Sequence, residues 1–171
     1  PNVDTTLAKI HEQLNDSETS HNLLIRAATR VGRDERIYML IGQSKQQIKS
    51  RSSIENFYND NLLKNPEWSL LWEDYVAWLK RQELFVESIS SSKKAIKNNP
   101  GNTRLMLQYG LLMMDTNDPI EAVNIFNKWI SIRPNDPTGW LLLSKAHTMC
   151  GNHQEAQEAF EKGNSFKLQK D

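Results

Sequence analysis

The chain has 171 residues, with 21 basic and 21 acidic side chains, and 38% of its residues are apolar. That balance excludes the positive excess a nucleic-acid footprint needs, and no run of about 18 apolar residues is present to span a membrane as a helix. The single Cys150 excludes an internal disulfide.

Aromatic residues are spread along the chain, which predicts folding rather than disorder. The sequence opens on PNVDTT with no initiating methionine and no leader pattern, and it reads as a domain cut from a longer protein. In residues 1–34, Leu7, Ile10 and Leu14 share one helical face. Leu23, Leu24, Ala27, Ala28 and Val31 form another. Asn15, Asp16 and Ser17 separate the two, Asp16 or Ser17 is placed to cap the second helix, and Gly32 ends it. Residues 35–68 read as a second hairpin, with Ser52 and Glu55 at capping-box spacing. Further on, Asp118-Pro119-Ile120-Glu121 offers an N-cap, a proline at the first helical position and a carboxylate behind it. Asp136-Pro137 opens the next helix, and Asn152 with Glu155 marks the last. No stretch alternates with period two, so the expectation is ten helices in five antiparallel pairs and no sheet.

These elements repeat. Stepping back 34 residues from Trp140, Ala156 and Phe160 lands on Met106, Ala122 and Phe126, and a further step from Met106 lands on Trp72. Pro66, Pro100 and Pro134 fall on the same period. A 34-residue helix–turn–helix period resembles the tetratricopeptide repeat family. The unit from Pro137 supplies Trp140, Ser144, His147, Ala156, Phe160 and Gly163 in that family's pattern, with Leu168 where proline would stand. The unit from Thr103 supplies Met106, Gly110, Met113, Ala122, Phe126 and Pro134, but Trp129 occupies a place where a small residue is expected. The unit from Ser69 supplies Trp72, Val76, Leu79, Ser88, Ser92, Ala95 and Pro100. Tyr38, Gly42, Ile54, Tyr58 and Pro66 are in register earlier, although Lys45 and Asn61 break two core positions. Ala8, His11, Ser20, Leu24 and Ala27 are in register at the start. The resemblance implies an all-α, right-handed solenoid of antiparallel helix pairs. It would be one domain over 1–171, with units 1–34 and 35–68 degenerate and 69–102, 103–136 and 137–171 clear. Trp140 and Phe160 are expected to be core.

No set of residues makes an active site. His11, His21, His147 and His153 fit neither an HExxH helix nor a zinc pattern, and no Gly-rich phosphate loop or GxSxG elbow is present. His147 and Cys150 lie three apart, but His147 fills a packing position of the repeat. The expectation is therefore a protein with no catalytic residues, no metal and no cofactor.

In the family the first helix of each pair lines an inner groove. The resemblance places Arg104, Leu107, Leu111, Met114, Leu141 and Lys145 there, with Glu73 and Arg81 from the preceding unit. The carboxylate clamp of chaperone-binding members is absent, and Glu73 would repel a carboxylate. Leu107, Leu111 and Met114 lie at i, i+4 and i+7, and such a face suits an amphipathic or extended segment. The implied function is a non-catalytic adaptor, scaffold or chaperone-like module that holds a protein or peptide segment, binding neither nucleic acid nor membrane. The last unit is similar to bacterial envelope-assembly members of cytochrome c maturation, pilus or secretion systems. The alternative is a self-assembly or spacer module of a longer chain.

Overall fold

The computed structural model describes residues 3–48 and 50–168, so the outermost ends of the first and last repeat units lie outside the described residues. Ten helices follow in order: α1 (Val3–Gln13), α2 (Ser17–Val31), α3 (Glu35–Ile48), α4 (Arg51–Lys64) and α5 (Ser69–Arg81), then α6 (Phe85–Asn98), α7 (Thr103–Asp115), α8 (Pro119–Ile132), α9 (Pro137–Met149) and α10 (His153–Leu168). Among the described residues there is no strand. The chain divides into two compact units, Pro1–Gln82 and Glu83–Asp171. The boundary falls between α5 and α6 in the sequence.

In the first unit α1 packs on α2, α2 on α3, and α3 on both α4 and α5. Ala8, Leu23, Leu24, Ala27, Ile37 and Ile41 form one core, flanked by Ala28, Leu40 and Phe57. Tyr58, Tyr75 and Trp78 stack nearby, with Tyr58 and Tyr75 centroids 4.6 Å apart. α1 is tied to α2 by a charge as well: the buried Asp4 carboxylate lies 2.9 Å from Arg30 and 3.6 Å from Arg26. In the second unit each helix from α6 to α10 packs on the next. Its core runs through Met106, Tyr109, Leu112, Met113, Phe126, Trp129, Leu143 and Ala146.

The repeat shows in the backbone. A positive φ recurs between consecutive helices at Asn15 (58°, after α1), Glu83 (59°, after α5), Asn117 (62°, after α7) and Gly151 (77°, after α9), and the last three are 34 apart. Two hairpins are closed by the same glycine–aromatic lock. A Cβ on Gly42 would collide with the Tyr58 ring, and one on Gly110 would collide with the Phe126 ring. The repeat of residues 69–102 has Val76 and Ser92 at the matching sequence positions, so the residue types that make this lock are missing there. Tryptophan and proline are also linked: Trp72 Nε1 donates to the Pro66 carbonyl at 2.9 Å, and Trp140 Nε1 to the Pro134 carbonyl at 2.6 Å. Helix starts follow the period too. Asp34, Asn102 and Asp136 each accept backbone N–H groups of the helix they precede. Trp68, in the same register, has no side-chain cap, and the Glu35 carboxylate of α3 receives the Leu70 N–H instead.

Some sequence expectations need correction. Phe160 is not core: it is 47% exposed, because no described helix lies beyond α10 to cover it. Trp140 is half-buried, with the Lys162 ammonium 4.7 Å from its ring centroid. Ser52 does not cap α4. That helix starts at Arg51 with the extended Ser50 before it, and no side chain caps it. Trp129 is buried despite its size because Gly139 gives it room, and its Nε1 donates to Asp136 at 3.1 Å. Lys45 at its core position is held over the Phe57 ring, 5.4 Å from the centroid.

Candidate functional site

α7 buries most of its circumference. Leu105, Met106, Tyr109, Gly110, Leu112 and Met113 all face the core. Leu107 and Leu111, one turn apart, are half-buried and lie against that core from outside. Arg104 and Asp115 on the same side are exposed. This stripe is what remains of the face expected from the sequence, and two of its predicted members belong elsewhere. Met114 is only 7% exposed and is part of the core, because the buried arc of α7 extends to its position. Leu141 is half-buried and touches α10: a Cβ on Gly163 would come within 2.9 Å of its side chain. It therefore fills the α9–α10 hairpin. Lys145 is exposed on α9, as is Thr138, and Met149 at the end of that helix is 42% exposed. α7 and α9 share one core through Leu143 and Ala146.

In the first unit Glu73 is also buried, at 7% exposure, so it cannot repel an approaching anion from the surface. Arg81 is exposed, and its Nη2 donates to Gln46 Oε1 at 2.8 Å. Gln46 Nε2 donates in turn to the Tyr58 hydroxyl at 2.7 Å and to Asp74 Oδ2 at 3.2 Å. The Tyr58 hydroxyl donates to that same carboxylate oxygen, and Gln43 Nε2 donates to Asp74 Oδ1 at 3.0 Å. Burial pushes the Asp74 carboxyl above its ordinary value, overcoming the hydrogen bonds from Tyr58, Gln43 and Gln46 and the Arg81 charge, all of which favour ionisation. Burial, and then the neighbouring Asp74 charge, push the Tyr58 phenol well above its ordinary range. Arg81 is the member of this cluster that the sequence places on the inner face. The anchor Asp74 is not legible there, because an acid on an amphipathic helix reads as solvated until the tyrosine of another helix, Tyr58 of α4, is placed beside it.

Nothing in this arrangement presents an activated nucleophile. Tyr58 and Asp74 are engaged with each other, and among the described residues no group of three His, Cys, Asp or Glu side chains is disposed to hold a metal. His147 Nδ1 lies 3.4 Å from the Asn152 amide. No described helix is long and apolar enough to cross a membrane.

No family model matches the chain, and no curated protein matches it. Solved structures do. A MamA structure aligns with TM-score 0.73 at 13% identity, over 98% of this chain and 92% of that one. A second aligns with TM-score 0.71 at 13% identity, over 95% of each chain. The MamA structure designated MSR-1 aligns with TM-score 0.66 at 14% identity, over 98% of this chain and 97% of that one. At these identities the likeness concerns the fold, which is the all-helical, tetratricopeptide-like arrangement of antiparallel helix pairs expected from the sequence.

Proposed function

We propose that this protein is a non-catalytic protein-interaction module whose second unit holds a segment of a partner protein against the outward stripes of α7 and α9. The observation that carries this reading is the pair Leu107 and Leu111. They stay half-exposed on a helix whose remaining apolar residues are buried, with Arg104 beside them. Apolar surface left open next to a charge is the composition of an interaction site rather than of an ordinary solvated face. Lys145 on α9 is exposed as well, and the reading assigns it to the site as a second cation. The partner segment is therefore apolar along one side and acidic at its edge. The similarity of the last repeat to envelope-assembly proteins does not extend to Arg104, Leu107 or Leu111, which carry the reading, so no pathway is attached to it.

The test is affinity capture with the intact chain and with Leu111→Glu and Arg104→Glu, quantified by mass spectrometry. A specific partner should be lost by roughly tenfold or more in Leu111→Glu, while stability stays within about 1 kcal/mol of wild type. Equal recovery by all three proteins would overturn the reading. Recovery of no partner by wild type would favour a spacer module.

A further inference from the structure

A second recess opens on another side of the same unit. It lies between α6 and α8, over α7, and has a volume of about 360 Å³. Its floor is apolar, made by Ile96 of α6 and Ile125 of α8. Its walls carry Lys93 and Lys97, one turn apart on α6, and Lys128 on α8. All three lysines are exposed, and among the described residues no ion pair holds any of them. One anion, Glu121, sits in the recess and is already occupied. Its Oε1 accepts from the Tyr109 hydroxyl at 2.9 Å and its Oε2 from Asn124 at 3.2 Å. Three lysines against one glutamate leave a surplus of positive charge in a recess with a greasy base.

We propose that this recess is a binding site, distinct from the α7–α9 stripe, for an acidic stretch of a protein partner in which an aliphatic side chain is flanked by Asp or Glu. The aliphatic group would sit on Ile96 and Ile125, and the flanking carboxylates would reach the lysines on the two walls. Charge complementarity selects the occupant. A nucleic acid is disfavoured because the chain as a whole is neutral and the positive surplus is confined to this recess. Burial opposes the ionisation of Glu121, but the Asn124 and Tyr109 hydrogen bonds and the Lys93 and Lys128 charges outweigh it, so its carboxyl lies below the ordinary value. Glu121 thus stays charged at neutral pH and competes with an incoming carboxylate for the same lysines.

That competition gives the site two effects of opposite sign. Fluorescence anisotropy with a labelled peptide alternating Glu and Leu, on the intact chain, should show binding that weakens with added salt. The combined variant Lys93→Glu, Lys97→Glu and Lys128→Glu should lose affinity by roughly tenfold or more. Glu121→Gln, which removes the resident charge but keeps an amide oxygen for Tyr109, should bind more tightly, by about two- to fivefold. The matching Gln/Leu peptide should bind more weakly than the acidic one. Because an acidic, leucine-bearing peptide also has the composition proposed for the α7–α9 stripe, each titration is repeated in the Leu111→Glu background: affinity lost on Leu111→Glu alone reports the stripe, and affinity lost on adding the three lysine substitutions to that background reports this recess. Circular dichroism melts confirm that each variant is folded. The proposal is overturned if wild type does not bind the acidic peptide, if the triple variant binds it equally well, if Glu121→Gln weakens binding, or if an oligonucleotide outcompetes the peptide.

Discussion

A methyl group on Gly110 would stand inside the van der Waals envelope of the Phe126 ring and within 3.0 Å of Ile125. Gly110→Ala should therefore destabilise by about 1–3 kcal/mol through overpacking, even though alanine is the better helix former. A urea midpoint equal to or above that of wild type would show that α7 and α8 can part to admit it. Gly151 is needed for a different reason. Its φ is +77° and nothing lies within 4 Å of a Cβ built there. Its cost on substitution is purely conformational, about 1–2 kcal/mol for alanine. Glu83 holds the same turn position with φ +59° and carries a Cβ, so it is strained as it stands. Glu83→Asn should stabilise by about 0.5–1 kcal/mol, because asparagine tolerates the left-handed region better. An unchanged or lower midpoint would mean the Glu83 side chain makes a contact worth as much as the strain. The sequence shows which residues recur every 34 positions. It does not show which recur for lack of space and which for a positive φ.

At the scale of elements, α3, α4 and α5 are joined by the polar cluster around Asp74 as well as by their aromatic stack. The folded-state pKa of Asp74 is raised, so between its ordinary value of 3.8 and the raised value the folded protein holds a proton that the unfolded chain has released. Its contribution to stability is full below that window and is lost as pH rises through it. Asp74→Asn keeps an oxygen to accept from Tyr58 and cannot titrate. The difference in melting temperature between wild type and Asp74→Asn should therefore change with pH across the mildly acidic range, moving against wild type as pH rises. Arg81 is the charged group within reach of Asp74 and Tyr58, and it favours the ionised form of each. A difference that stays flat with pH would mean that Asp74 titrates at its ordinary value. Little of this cluster is legible in the sequence, since it joins residues of three helices through hydrogen bonds between positions up to 35 apart. Helix starts were more legible: Asp16, Asp118 and Asp136 accept where the local pattern placed them. The start of α5 was not, because the carboxylate that receives its Leu70 N–H comes from α3.

At the scale of the whole chain, a repeat pattern predicts which side chains are equivalent but not what each one contributes. The ten helices expected from the sequence are present among the described residues, because each needs its apolar face covered and the 34-residue spacing marks those faces. Burial depends on a further condition, the presence of a neighbour on the far side. Leu107 and Leu111 are half-buried against the core of their unit and Leu141 is half-buried against Gly163 of α10, whereas Met114 is buried, a difference that the linear pattern does not weigh. Phe126 and Phe160 make the comparison most sharply, being the same residue type at the same repeat position. Phe126 is 0% exposed, seated over Gly110 on one side and in a core shared with Leu143 and Ala146 of α9 on the other. Phe160 is 47% exposed, with Ser144 rather than glycine at the matching position of α9 and no described helix after α10. Phe126→Ala removes a ring enclosed on every side and should cost about 3–5 kcal/mol. Phe160→Ala removes a ring that already faces solvent along one side, leaves no closed void, and should cost about 1 kcal/mol or less. Chemical denaturation of the two variants measures this directly. Equal losses would show that the Phe160 ring is covered in solution, and that what covers it should be sought on the outer face of α10.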